Sequence, residues 1–130
     1  MCNLFVGADA SLWESRTKSM RVHGSVTSIR MENMFWDVLE EIAYRDKMSL
    51  SQLISTLYIE SQTAGHDMRN FTSFLRVCAQ RYLALIGDGE VPRSIDTPIY
   101  SGNEQDASDI IERESARRRE TDLARAHGAS

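Results

Sequence analysis

From Thr27 to Met31 apolar and polar positions alternate, with Thr27, Ile29 and Met31 set against Ser28 and Arg30. A period of two predicts an extended strand. Upstream, Met20 and Val22 alternate with Arg21 and His23, and Gly24 interrupts the run. Residues 19–31 therefore read as one long bent strand or as two pieces. The period then lengthens. Phe35, Val38, Leu39 and Ile42 recur at helical spacing, with Glu40 and Glu41 on the other side. Glu32 or Asn33 can cap this first helix, which should end near Asp46 and Lys47. Ser49-Leu50-Ser51-Gln52 has the form of a capping box and opens a second helix, with Leu50, Leu53, Ile54, Leu57 and Tyr58 as its stripe and Gly65 as its stop. Phe71, Phe74, Leu75, Cys78, Tyr82 and Leu85 predict a third helix over about 71–86, ended by Gly87. Before all this, Leu4-Phe5-Val6 could be a short strand, and Asp9-Ala10-Ser11 could open a helical turn carrying Leu12 and Trp13.

The pattern divides the chain into an N-terminal segment (1–15), a folded domain (16–86) and a charged, flexible tail (87–130). In the tail, Pro92 and Pro98 break regular structure, and residues 104–126 have few apolar side chains to bury. The formal charge of −4 over 130 residues looks unsuited to a nucleic acid, but its distribution reverses that. Arg16, Lys18, Arg21, His23 and Arg30 fall in a stretch with no acid, whereas residues 87–130 hold ten acids against six arginines. A phosphate backbone responds to the local patch within a Debye length. Arg117-Arg118-Arg119 lies among acids and reads as a solvated helix.

A lone strand can neither pair its own backbone nor cover its apolar face. One solution is a hairpin with residues 19–23. The other is a second copy, its strand paired antiparallel about a two-fold axis and four helices covering one face. Thr27, Ile29 and Met31 would then enter a shared core, leaving Val26, Ser28 and Arg30 outward. A two-stranded ribbon fits the major groove, where Ser can donate or accept at base edges and Arg can hold guanine by two hydrogen bonds. The start of the second helix, at Ser49, Leu50 and Ser51, offers free amides and a positive dipole end to a phosphate.

The run Ser25-Val26-Thr27-Ser28-Ile29-Arg30-Met31-Glu32, followed by Phe35-Trp36, Leu39, Ile42-Ala43 and Met48 to Ile54, resembles the ribbon-helix-helix (Arc/MetJ-like) DNA-binding family over about residues 16–86. Its strand is similar to a bacterial Thr-Ser-Ile-Arg subgroup. The resemblance implies a mainly α fold with one short β-strand, an intermolecular two-stranded antiparallel ribbon in a homodimer, and here a third helix. It implies base contacts at Val26, Ser28 and Arg30, and phosphate contacts at Ser49 and Leu50. The basic patch adds Arg16, Lys18 and Arg21 as phosphate contacts, and Ser51 joins them at the helix start. Val26 is apolar where many relatives place a polar reader, and Lys47-Met48 stands where the common turn has Gly.

The function implied is a cytoplasmic, nucleoid-associated, sequence-specific transcriptional regulator that binds double-stranded DNA. The alternative is an antitoxin-like module whose 88–130 tail holds a protein partner. No enzyme is expected: no nucleophile motif appears, and Glu40 and Glu41 lie on a solvated helix face. No metal or other cofactor is expected, since His23, His66, Cys2 and Cys78 lack ligand spacing. No apolar run is long enough to span a membrane, and the N-terminus lacks the basic lead of a signal peptide. Trp36 reads as a packing residue, and Cys78 as a small core residue.

Overall fold

The computed structural model describes residues 2–100 and 102–128. The period-two region forms two strands, β1 (Ser15–Val22) and β2 (Ser25–Glu32), paired antiparallel in one hairpin. The helices are α1 (Cys2–Val6), α2 (Asn33–Arg45), α3 (Leu50–Thr63), α4 (Phe71–Gly87) and α5 (Glu104–Gly128). Short 3-10 turns occupy Ala10–Trp13 and Met68–Asn70. The mainly helical architecture, with a ribbon ahead of its helices, is the one expected.

The ribbon differs in its source. β2 pairs with β1 of the same chain, so there are two strands per chain where one was expected, and the pairing of the other edge of β2 with a second copy is left open. The reason is local. His23 and Gly24 hold φ values of 51° and 83°, the pair of positive values that a two-residue type I′ turn needs, and the twist of that turn matches a hairpin. Gly24 thus ends one strand and begins the next.

Beneath the ribbon lies one core. Met20, Val22, Ile29 and Met31 pack with Trp36, Leu39 and Ala43 of α2, Leu53 and Ile54 of α3, and Leu75 and Ala79 of α4. Thr27 lies on this inner face, opposite Met20, but it is exposed. The helices leave the ribbon's underside open near the turn. At the other end, Leu4-Phe5-Val6 is helical rather than extended. Asp9 caps the following 3-10 turn, accepting from Ser11 N at 2.9 Å.

The α2–α3 corner keeps its geometry without glycine. Lys47 N donates to Tyr44 O and Met48 N to Ala43 O, the paired closure of a Schellman motif. Lys47 itself takes φ 55°. Ser49 then caps α3, its Oγ accepting from Gln52 N at 3.1 Å while Gln52 Oε1 accepts from Ser49 N at 2.8 Å. Gly65 closes α3 as expected, whereas the left-handed residue closing α4 is Gly89, with Gly87 as the last helical residue.

Residues 91–99 form a strap held by a buried guanidinium. Arg45 Nε donates to Thr97 O, Nη1 to Pro92 O and the Tyr82 hydroxyl, and Nη2 to Pro98 O and Thr97 Oγ1. Every N–H of the fork has a partner, which is what lets a charge lie at 5% exposure. The Tyr82 hydroxyl in turn donates to Glu41. The acidic segment beyond is a continuous helix, docked by charge. Glu114 pairs with Arg81 at 2.6 Å, and Glu90 with Arg113 at 2.7 Å and Arg117 at 3.3 Å. Leu85, Val91, Ile99 and Ile110 line the apolar cleft between.

Two outcomes are expected. Lys47→Gly should raise stability in chemical denaturation by about 0.5 kcal/mol. It relieves about 1 kcal/mol of left-handed strain, offset in part by the freedom glycine has in the unfolded chain; a loss would show that the Lys47 side chain holds the corner. Arginine partners hold the Glu90 and Glu114 carboxyls below the ordinary glutamate value of 4.5. Their contribution to docking α5 is therefore complete above about pH 4.5 and is lost as pH falls through the lowered values. An α4–α5 distance reporter should show α5 leaving under acid, and α5 staying docked after both carboxyls have taken up their protons would contradict the charge-held seam.

Candidate nucleic-acid interface

The hairpin register sorts its side chains into two faces, because residues directly opposite share a face. Met20 and Val22 are buried, and Lys18 and Arg16 follow them on the helix side by alternation. The outer face carries Thr17, Ser19 and Arg21 from β1, opposite Arg30, Ser28 and Val26 from β2. All six are exposed. The Ser19 and Ser28 hydroxyls are 2.9 Å apart and share a hydrogen bond. No carboxylate belongs to these six positions, and among the described residues neither Arg21 nor Arg30 takes part in an ion pair. The nearest acid along β2, Glu32, is held by Arg76 through two hydrogen bonds of 2.9 and 3.0 Å, which keep its carboxyl below the ordinary range.

The helix side holds the ribbon in place. Trp36 is fully buried and donates from Nε1 to Arg16 O at 2.9 Å, so its packing role is as expected. Lys18 reaches Glu40 at 2.7 Å and lies over the Trp36 ring, 5.4 Å from its centroid. Ser55 of α3 donates to Arg21 O at 3.0 Å.

The structure therefore gathers Val26, Ser28, Arg30 and Arg21 on one surface. It places Arg16 and Lys18 on the opposite side of β1, with Lys18 already paired. Ser49 caps α3, and Leu50 and Ser51 open its first turn. The capping box uses the Ser49 and Gln52 amides and leaves those of Leu50 and Ser51 for another acceptor. Thr17 and Ser19 were not among the expected contacts. Their signal was present in Val22-His23-Gly24-Ser25, since a two-residue turn there sets the register that brings them beside Arg30 and Ser28.

The Ribbon-helix-helix domain family model matches residues 15–83, from the first residue of β1 to near the end of α4. The chain belongs to the ribbon-helix-helix family. That family consists in general of non-enzymatic DNA-binding modules that act as dimers. The solved structure of an uncharacterized protein from Bordetella pertussis Tohama I is similar to this ribbon-helix-helix chain at 47% identity, with a TM-score of 0.75, over 82% of this chain and 85% of that one. No curated protein sequence matches. Among the described residues no helix is long and apolar enough to cross a membrane.

Gly24→Ala is expected to destabilise the ribbon by about 1 kcal/mol. The left-handed φ penalises any Cβ, even though a Cβ there would meet no other atom within 4 Å. Thermal unfolding measures it, and an unchanged midpoint would show that the turn tolerates another geometry.

Proposed function

We propose that this ribbon-helix-helix protein is a sequence-specific transcriptional regulator that lays the outer ribbon face in the major groove as a homodimer. The observation that carries the reading is that face: two arginines with no ion pair among the described residues and a row of hydroxyls, with the acid at its end, Glu32, held by Arg76, in a chain of net charge −4. Ser28 and Arg30 read base edges, and Val26 meets a thymine methyl.

The dimer forms through β2. A two-residue hairpin closes on a hydrogen-bonded pair, here Val22 and Ser25, and the pairs alternate from there. The backbone groups of Ser25, Thr27, Ile29 and Met31 then face β1, whereas those of Val26, Ser28 and Arg30 face away along an unpaired edge. Two observations support this phase. Asn33 N donates to Glu14 O, continuing the ladder, and Arg21 O, turned away from β2, is the carbonyl that Ser55 reaches. A two-fold centred on Ser28 pairs this edge with its copy and makes a four-stranded sheet. Its central strands fit the groove. With strands about 4.8 Å apart, the outer strands lie about 14 Å apart, beyond the roughly 12 Å groove width. Arg21 then faces the phosphate walls, and the free Leu50 and Ser51 amides of each α3 are the further phosphate donors.

Regulation is favoured over an antitoxin role because the segment that would wrap a toxin is engaged within the chain, Glu114 by Arg81 of α4 and the 91–99 strap by Arg45 of α2.

On a target selected from random DNA at stated salt, Arg30→Ala should cost about 1–3 kcal/mol per contacted base pair and relax specificity there. Arg21→Ala should weaken all sequences alike and reduce the salt slope by about one per chain. Undiminished affinity and specificity for the selected target in Arg30→Ala would overturn the reading.

A further inference from the structure

Two surfaces at opposite ends of β2 have no occupant among the described residues. At the open end of the hairpin, α1 and the adjoining 3-10 turn hold apolar side chains in water: Leu4 is 76% exposed, Phe5 65% and Val6 77%. With Trp13, Met34 and Phe35, the Leu4 and Phe5 side chains line a groove of about 350 Å³ that reaches Glu32 at the end of β2. A five-residue helix has no stability of its own, so these side chains need a surface to rest on. The 3-10 turn before β1 is fixed at that end by Asn33, whose Nδ2 donates to Ser11 O and whose N donates to Glu14 O. At the turn end lies a hollow of about 320 Å³ beside the start of β2. Val22, Ile29, Tyr58, Met68 and Phe71 line it together with polar residues that include Ser25, Thr27 and Arg69. This is where the helices leave Thr27 uncovered.

A two-fold through Ser28 brings these surfaces together. Antiparallel pairing sets Val26 opposite the partner's Arg30 and Gly24 opposite the partner's Glu32. The apolar groove of one copy then meets the hollow of the other, twice. We propose that α1 (Cys2–Val6), carried on a 3-10 turn that stays with its own chain, is a clasp: it packs across the two-fold into the turn-end hollow of a second copy, with Leu4 and Phe5 against the partner's Tyr58 and the partner's Phe71. Its occupant is a copy of this chain, because both surfaces abut the strand edge through which the dimer forms. The inference rests on the β2 pairing proposed above.

The test uses the full chain carrying Arg69→Cys, which puts a thiol in the lining of the hollow. A short bismaleimide should join that thiol to Cys2, which is exposed on α1, giving a covalent dimer that Cys2→Ser abolishes. Leu4→Ser with Phe5→Ser should raise the dimer dissociation constant at least about tenfold, since two large apolar side chains lose their burial. Circular dichroism should show the fold unchanged. A dimer of unchanged affinity with no cross-link overturns the clasp and leaves the ribbon dimer standing. A weakened dimer with no cross-link places the segment elsewhere and also overturns it. A full chain that is monomeric at micromolar concentration overturns the β2 pairing itself, and the clasp with it.

Discussion

A two-stranded ribbon has one face it can bury, and in this chain that face is buried on Trp36, Leu39, Ile54 and Leu75. Isolated hairpins are marginal in water, so the strands exist because three helices cover Met20, Val22, Ile29 and Met31. The pleat then assigns the other face without further choice. A slip of one residue would turn Arg30 and Ser28 into the core, and fully buried side chains such as Met31 and Trp36 forbid it. The surface offered to a groove is thus the complement of a packing solution.

Charge is used differently on the two sides of the molecule. On the outer ribbon face Arg21 and Arg30 have no ion-pair partner among the described residues. On the far side of α4 the arginines are consumed by Glu90, Asp88 and Glu114, and Arg45 is satisfied by carbonyls and hydroxyls of the strap. A chain with more acids than bases can therefore present a basic surface, because none of its acids opposes Arg21 or Arg30 across the ribbon and Asp88, Glu90 and Glu114 are held against arginines elsewhere. Exposed ion pairs contribute little individually. The α5 seam combines several with an apolar cleft, which is why a helix with so few apolar residues still has a place to lie.

The β2 edge links the fold to its proposed assembly. An unpaired strand edge is a hazard unless something covers it, and the ribbon-helix-helix family, which acts as dimers, covers edges with a second copy. Here the hairpin supplies one neighbour for β2 from within the chain and leaves the other side open.

Much of this was legible along the chain. The period-two face, the Ser49–Gln52 box, the helical stripes and the outward placement of Ser28 and Arg30 are local patterns, dictated by backbone geometry over a few residues. The resemblance in residues 25–54 carried the family. What the chain could not disclose was that residues 15–22 would take one edge of β2. The hairpin lies in the left-handed dihedrals of His23 and Gly24, a residue pair outside the strongest turn signals. That choice moved Lys18 and Arg16 to the helix side and brought Thr17 and Ser19 into the candidate site. The docking of α5 was hidden for the same reason. Its partners Arg81 and Glu90 lie 33 and 23 residues from Glu114 and Arg113, and a contact at that separation exists only once the helices have packed.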